Sequence, residues 1–324
     1  MFLNMYCPDK TIFAAVGLGV MLMNIFLRSY ITGFNNFMVT QISQAYGAGD
    51  FYLCGEILNR NKVICTIIMI PLMIPLFFIG DLLILLGQDP ELSYAAQSFV
   101  RISMPGFISQ LHYDIYRKYL NSIGLFYLHM PIPLVTLATH IFFCWLIIGY
   151  LNLKLIGCGI IMLIQLISNH ILIYFIVYYG KGGKYLHGIT SHSFEGWIEI
   201  IREGIPSYFL QFVTTISLET LILFTGFISI NLVVANTAYI NIFFLLFISI
   251  IGVQQSSGPM IGNRIGQCDY KGAKKIKNAN ITFGIVFGIF VVLILLNFQD
   301  SIIRFYVSDI EIISMMKIML PYFC

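Results

Sequence analysis

Two stretches of this chain repeat one another at a fixed separation. Gly33, Gly47, Asp50, Ile57, Asn59, Asn61, Asp81 and Ile84 recur 219 residues later as Gly252, Gly266, Asp269, Ile276, Asn278, Asn280, Asp300 and Ile303. One inserted residue further on, Asp89-Pro90-Glu91 is echoed by Asp309-Ile310-Glu311. The matches fall at the same points of the hydropathy pattern: the end of an apolar helix, a short charged loop, the next apolar helix. Chance similarity between apolar segments is the alternative, and the shared order of segments argues against it. An internal repeat of several spans is the build of a secondary transporter, with two bundles around a central site.

Composition says what kind of helices these are. Apolar residues make up 58% of the chain and charged residues 10%, with a mean hydropathy of +0.86. A soluble domain carries about 25% charged residues. The expectation is an all-α, multi-pass integral membrane protein with the bilayer as a partner. A net charge of +3 gives no footing for nucleic acid. The seven cysteines are scattered, with no spacing that suggests a disulfide framework or a metal site.

Uncharged runs place spans near 11–39, 63–80, 92–116, 125–150, 157–179, 205–227, 232–256 and 281–298, and Ile312–Cys324 starts like a ninth. Each full run can cross a core of about 30 Å at about 1.5 Å per residue. Alternate loops hold twelve basic residues: Arg60, Lys62, Arg117, Lys118, Lys181, Lys184, Arg202, Arg264, Lys271, Lys274, Lys275 and Lys277. The other side has five: Lys10, Arg101, Lys154, Arg304 and Lys317. Positive charge marks the cytoplasmic side, so 40–62, 117–124, 180–204 and 257–280 are expected there. Arg28 lies within a span.

The chain divides accordingly into an N-terminal lobe 1–179, a cytoplasmic linker 180–204 and a C-terminal lobe 205–324. The repeat predicts that the partner of span 205–227 precedes Met1 and that those of 125–150 and 157–179 follow Cys324. The expected whole is two tandem, parallel-oriented repeats of six transmembrane helices. Eight to nine spans are present here, with the first helix and the last helices missing.

At this point the residues resemble a family. Gln41-Ile42-Ser43-Gln44-Ala45-Tyr46-Gly47-Ala48-Gly49 is similar to the signature that closes the second helix of multidrug and toxic compound extrusion (MATE) transporters. Leu86-Gly87-Gln88-Asp89-Pro90-Glu91 resembles the segment after their third helix, and Arg101-Ile102-Ser103-Met104-Pro105-Gly106 their fourth. Gly252 and Gly262-Asn263-Arg264-Ile265-Gly266 resemble the end of the eighth, and Ser217-Leu218-Glu219 the seventh of the eukaryotic branch. The likeness covers nearly the whole chain in order, as family helices two to nine and the start of ten. Gln267-Cys268 and the charged Arg28 depart from the family pattern.

Gln44, Gly47, Asp50, Pro105, Asn263, Gly266 and Asp269 form the structural signature. Gly47 and Gly49, like Gly266, are read as letting a helix end in a left-handed turn. Asp50 and Asp269 suit the N-cap of the next helix. These residues identify the fold and do not touch substrate. Glu219 differs, because it lies mid-span with at least eight uncharged residues on either side. A carboxylate there is expensive unless it faces water or a partner, which suits a group that binds and releases a proton. A protonated glutamate bonded to a neighbouring helix is the structural alternative. The resemblance also implies cation coupling at this residue. Asn241 and Gln211, polar within spans, are candidates for lining a cavity, with interhelical hydrogen bonding an equal alternative. His112, His129, His140 and His170 form no ligand pair by spacing.

The resemblance implies a monomeric secondary active antiporter. It would export small organic, often cationic compounds in exchange for H⁺ or Na⁺ by alternating access. No cofactor other than the coupling ion is expected. A lipid-linked oligosaccharide flippase of related architecture is the first alternative; a basic cavity would favour it, and Glu219 with no cluster of buried Arg or Lys argues against it. A non-transporting truncated product is the second. No Walker loop, H-E-x-x-H or G-x-S-x-G is present, so no enzyme is expected.

Overall fold

A computed structural model describes residues 10–228, 230–306, 313 and 316. Among these the regular structure is all helical. The first apolar run forms one long rod: α1 (Lys10–Met23), a π-helical turn (Asn24–Arg28), α2 (Ser29–Phe34) and α3 (Asn36–Gly47). It continues with α4 (Phe51–Phe77), α5 (Ile79–Leu85), α6 (Pro90–Ser103) and α7 (Gly106–Ser122). α8 (Ile132–Phe143) runs on into a second π-helical segment, Cys144–Tyr150, before α9 (Lys154–Tyr179). Three long helices follow, α10 (Trp197–Ile228), α11 (Ile230–Gly266) and α12 (Tyr270–Tyr306).

Local chemistry sets these boundaries. The Asp50 carboxylate accepts from Leu53 N at 3.0 Å and so caps α4. Asp89 does the same for Leu92 N at 3.0 Å, with Pro90 at the first helical position, where its missing N–H costs nothing. Pro71 and Pro75 sit inside α4, which ends two residues after the second of them. The run 92–116 is two helices rather than one, broken at Met104-Pro105. In α12 the backbone leaves helical geometry at Phe298.

The helices also reach further than the uncharged runs. The stretches 40–62 and 257–280, expected as loops, are helical except for residues 48–50 and 267–269. Aspartate caps start the next helix at once, so charged residues such as Arg60, Lys62 and Lys274 ride on helices instead of in loops. Among the described residues, five rods are long and apolar enough to cross a membrane: Thr11–Gly47, Phe51–Phe77, Phe126–Tyr150, Lys154–Tyr179 and Tyr270–Ile303.

α1 to α9 surround one apolar core that includes Leu27, Tyr30, Phe34, Met38, Leu58, Phe99, Leu111 and Tyr119. α10 packs along α2, α11 packs along α3, and α12 packs on α11. Between α9 and α10 the polar stretch clasps the start of α4. Tyr185 stacks on Phe51 at 4.5 Å and His187 on Tyr52 at 4.4 Å. Asn59 donates to the carbonyls of His187 and Gly188, and Thr190 Oγ1 donates to Glu56 at 2.7 Å. α10 begins inside that polar stretch, where Trp197 Nε1 donates to the Ser193 carbonyl.

Candidate functional site: a cleft between the two repeats

The two repeat copies meet at their signature segments, and the bonding in the two turns is the same. In the first, Ala48 N bonds Gln44 O, Gly49 N bonds Tyr46 O and Asp50 N bonds Ala45 O. In the second, Gln267 N bonds Asn263 O, Cys268 N bonds Ile265 O and Asp269 N bonds Arg264 O. Asp269 then caps α12 by accepting from Gly272 N at 2.8 Å, as Asp50 caps α4.

The left-handed residues are Gly49 (φ 81°) and Cys268 (φ 59°), not Gly47 and Gly266. Those two remain helical and serve a different purpose. A Cβ on Gly47 would run into the Asn263 backbone, and one on Gly266 would run into the backbone of Gln44 and Ala48. A Cβ on Gly262 would meet the Ser43 side chain. Bare backbone at these positions lets α3 and α11 pack main chain to main chain, as small residues do between membrane helices. The end read as cytoplasmic is therefore closed by the helix pair. Pro105 sits at the break between α6 and α7.

Above this closure the rod α1–α2–α3 has one face on α10. Phe26 meets Phe212 with ring centroids 6.0 Å apart, Ser29 Oγ donates to Thr215 Oγ1 at 2.9 Å, and Tyr30 packs edge-on against Tyr208. Glu219 belongs to this seam. Its carboxylate is half-buried and accepts from Asn24 Nδ2 at 3.4 Å, across the boundary between the copies. Asn24 opens the π-helical turn, a widened turn that often marks functional sites. Gln211 packs beside Gly33, in the helix contact rather than in open space. Asn241 lies on α11, and its side chain falls outside the described residues.

Sequence reasoning missed a charged cluster on α7, packed against the same rod. Asp114 on α7 is buried and bonds Arg117 Nη2 at 2.6 Å, Lys118 Nζ at 3.1 Å and Asn35 Nδ2 at 3.2 Å. Lys118 also donates to Thr32 O at 2.8 Å and Asn36 Oδ1 at 3.1 Å. Asn35 separates α2 from α3, so Lys118 satisfies carbonyl and amide groups at that break. Arg117 Nη1 reaches Gln255 Oε1 on α11 at 3.2 Å. Asn36 and Gln255 are 219 residues apart, so neighbouring cations of α7 hold equivalent amides of the two copies. The signal was the spacing Asp114-x-x-Arg117-Lys118, which puts acid and base on one helical face. Read as a loop, 117–124 hid it. Arg28, Arg117 and Lys118 now share one wall, which removes the premise that no basic cluster lies inside. His112 and His170 stack with centroids 5.2 Å apart.

The MatE family profile matches residues 1–146 and 206–324, on either side of the linker. The human multidrug and toxin extrusion protein 1 is 22% identical over 314 residues, covering 95% of this chain and 54% of the human protein. The Arabidopsis thaliana protein DETOXIFICATION 51 is 25% identical over 317 residues, covering 95% of this chain and 58% of that protein. The chain thus spans a little over half the length of these relatives. The crystal structure of the eukaryotic MATE transporter AtDTX14 superposes with a TM-score of 0.87 at 20% identity, over 99% of this chain and 72% of that one. The matched profile on both repeat copies makes the chain a member of the MatE family, and the superposition gives it that family's multi-pass, membrane-spanning fold.

Proposed function

We propose that this chain is a secondary active antiporter that exports small organic, often cationic compounds in exchange for H⁺ or Na⁺. The observation that carries the reading is Glu219. It is a carboxylate placed midway along an apolar helix, held at 3.4 Å by an amide of the other repeat copy. An ionised Glu219 is a good acceptor for Asn24 and an attractive site for a cation. A protonated Glu219 loses that charge and weakens the tie between α10 and the π-helical turn. Occupancy of one carboxylate by a coupling ion or by an organic cation therefore biases how the two copies sit. Each ligand shifts the balance only by its different affinity for the two arrangements. The α3–α11 closure at Gly47, Gly262 and Gly266 supports the other half of the cycle. It is a contact made of small residues, with few side chains to unlock when the copies part.

The test is pH-gradient-driven uptake of a fluorescent organic cation into vesicles carrying the protein. Glu219→Gln keeps the shape and hydrogen-bonding size but carries no exchangeable charge. Gradient-driven uptake is expected to fall to the protein-free level. Wild-type uptake in the Gln variant would leave Glu219 a structural residue and end this reading.

A further inference from the structure

Arg28 is the charge that the transport reading leaves unused. It lies eighteen residues from Lys10 and nineteen from Gly47 on the continuous rod. At about 1.5 Å per residue, neither end of the rod is within reach of its side chain, so snorkelling does not account for it. Arg28 closes the π-helical turn and is exposed; its carbonyl accepts from Thr32 Oγ1 at 2.9 Å, but its guanidinium makes no hydrogen bond or ion pair with any described residue. An unpaired guanidinium at such depth is costly in lipid and marks a pathway when it faces water.

Its neighbours show which way it faces. One turn above is Asn24, bonded to Glu219. One turn below is Thr32, whose carbonyl accepts from Lys118, and the next turn carries Asn36, which also accepts from Lys118. The stripe Asn24, Arg28, Thr32, Asn36 thus looks into the space bounded by α7, α10 and α11. Arg117 crosses the lower end of that space to Gln255. Below Glu219 the wall holds three cations, Arg28, Arg117 and Lys118. Their one carboxylate, Asp114, is already shared by Arg117, Lys118 and Asn35. Nothing among the described residues neutralises Arg28.

Resting on the transport reading, we infer that the transported molecule carries an oxyanion group, a carboxylate in the simplest case, which docks on Arg28 while its cationic part lies toward Glu219. The guanidinium offers a planar fork that matches a carboxylate with two parallel hydrogen bonds. Lys at the same position supplies charge without that fork. The preferred cargo is therefore an organic zwitterion rather than a simple cation.

The experiment uses two dyes that differ only in one group. Rhodamine 6G is a cationic ethyl ester, and rhodamine 19 is the same ring system with the free carboxylate. Binding of each to the full chain in lipid nanodiscs is followed by fluorescence anisotropy. The wild type is expected to bind rhodamine 19 about tenfold more tightly than rhodamine 6G, the gain of a bidentate charge-assisted pair. Arg28→Gln brings the ratio of affinities to about one or below, and Arg28→Lys leaves an intermediate ratio. If Arg28→Gln does not fold, the Arg28→Lys ratio alone decides. Equal affinities in the wild type, or a ratio unchanged in the folded variants, overturn the inference while the transport reading stands. A wild type that binds neither dye overturns both. Should Arg28→Gln change only the pH dependence of rhodamine 6G binding, Arg28 is a charge partner of Glu219, and the inference again fails.

Discussion

Replacing Gly47 by Ala adds one methyl group at the tightest point between the two repeat copies. The added Cβ would overlap the backbone carbonyl of Asn263, which belongs to the regular end of α11 and cannot swing aside as a side chain would. Overpacking of this kind costs about 1–3 kcal/mol when the structure must absorb it. Here the two helices can separate instead, so the cost becomes a bias toward the arrangement in which α3 and α11 have parted. The same free energy corresponds to a shift of roughly 5- to 150-fold in that equilibrium. Spin labels at Tyr52 and Tyr270, both exposed next to the two turns, report the separation by pulsed electron resonance in a cysteine-free background. A longer-distance population is expected to grow in Gly47→Ala. Gly49→Ala is the control: its Cβ meets nothing within 4 Å but its φ of 81° strains any other residue. It should lower stability without changing the distance distribution. An unchanged distribution and unchanged melting temperature in Gly47→Ala would refute the close-packing argument.

Two further outcomes follow from the same geometry. Lys118→Ala leaves Asp114 with Arg117 and Asn35 but removes the donor to Thr32 O and Asn36 Oδ1, so a loss of about 1–3 kcal/mol is expected, seen as a lower melting temperature in detergent. Cys268→Gly removes a side chain from a left-handed position (φ 59°) and should stabilise the second turn, by about 1 kcal/mol, measured as a rise in the same melting temperature.

The repeat was legible in the sequence because turns have strict chemistry. Asp50 and Asp269 must cap, and the residues before them must allow a left-handed step, so identities survive at a separation of 219 residues. What each glycine does was not legible. Gly47 and Gly49 look alike in sequence, yet one answers to a neighbouring helix and the other to its own backbone angle. Glu219 stood out because a lone carboxylate in an apolar run needs an explanation. Its partner Asn24 did not, since a single amide in a span has many ordinary uses. Lys118 was hidden for a physical reason as well. Charge counting assumes that basic residues at span ends lie in water, and this one turns inward to complete the break at Asn35.

The asymmetry between the copies is where function enters. A pure duplication would give α3 and α11 the same partners on both sides. Instead α7 contributes two adjacent cations, and each takes the equivalent amide of a different copy, Lys118 for Asn36 and Arg117 for Gln255. Lys118 is fixed within its own bundle by two further bonds, to Thr32 O of the rod and to Asp114, whereas Arg117 is part-exposed and reaches across. If α11 moves away from α3, Arg117 loses Gln255 and keeps Asp114. The Asp114 pair thus stores the cation in either arrangement, and parting the copies leaves no unpaired buried charge. That lowers the barrier to opening, since breaking a buried pair outright would cost about 3–5 kcal/mol. The wall below Glu219 can therefore stay basic in both arrangements, with Arg28 the one cation in it left without a protein partner among the described residues.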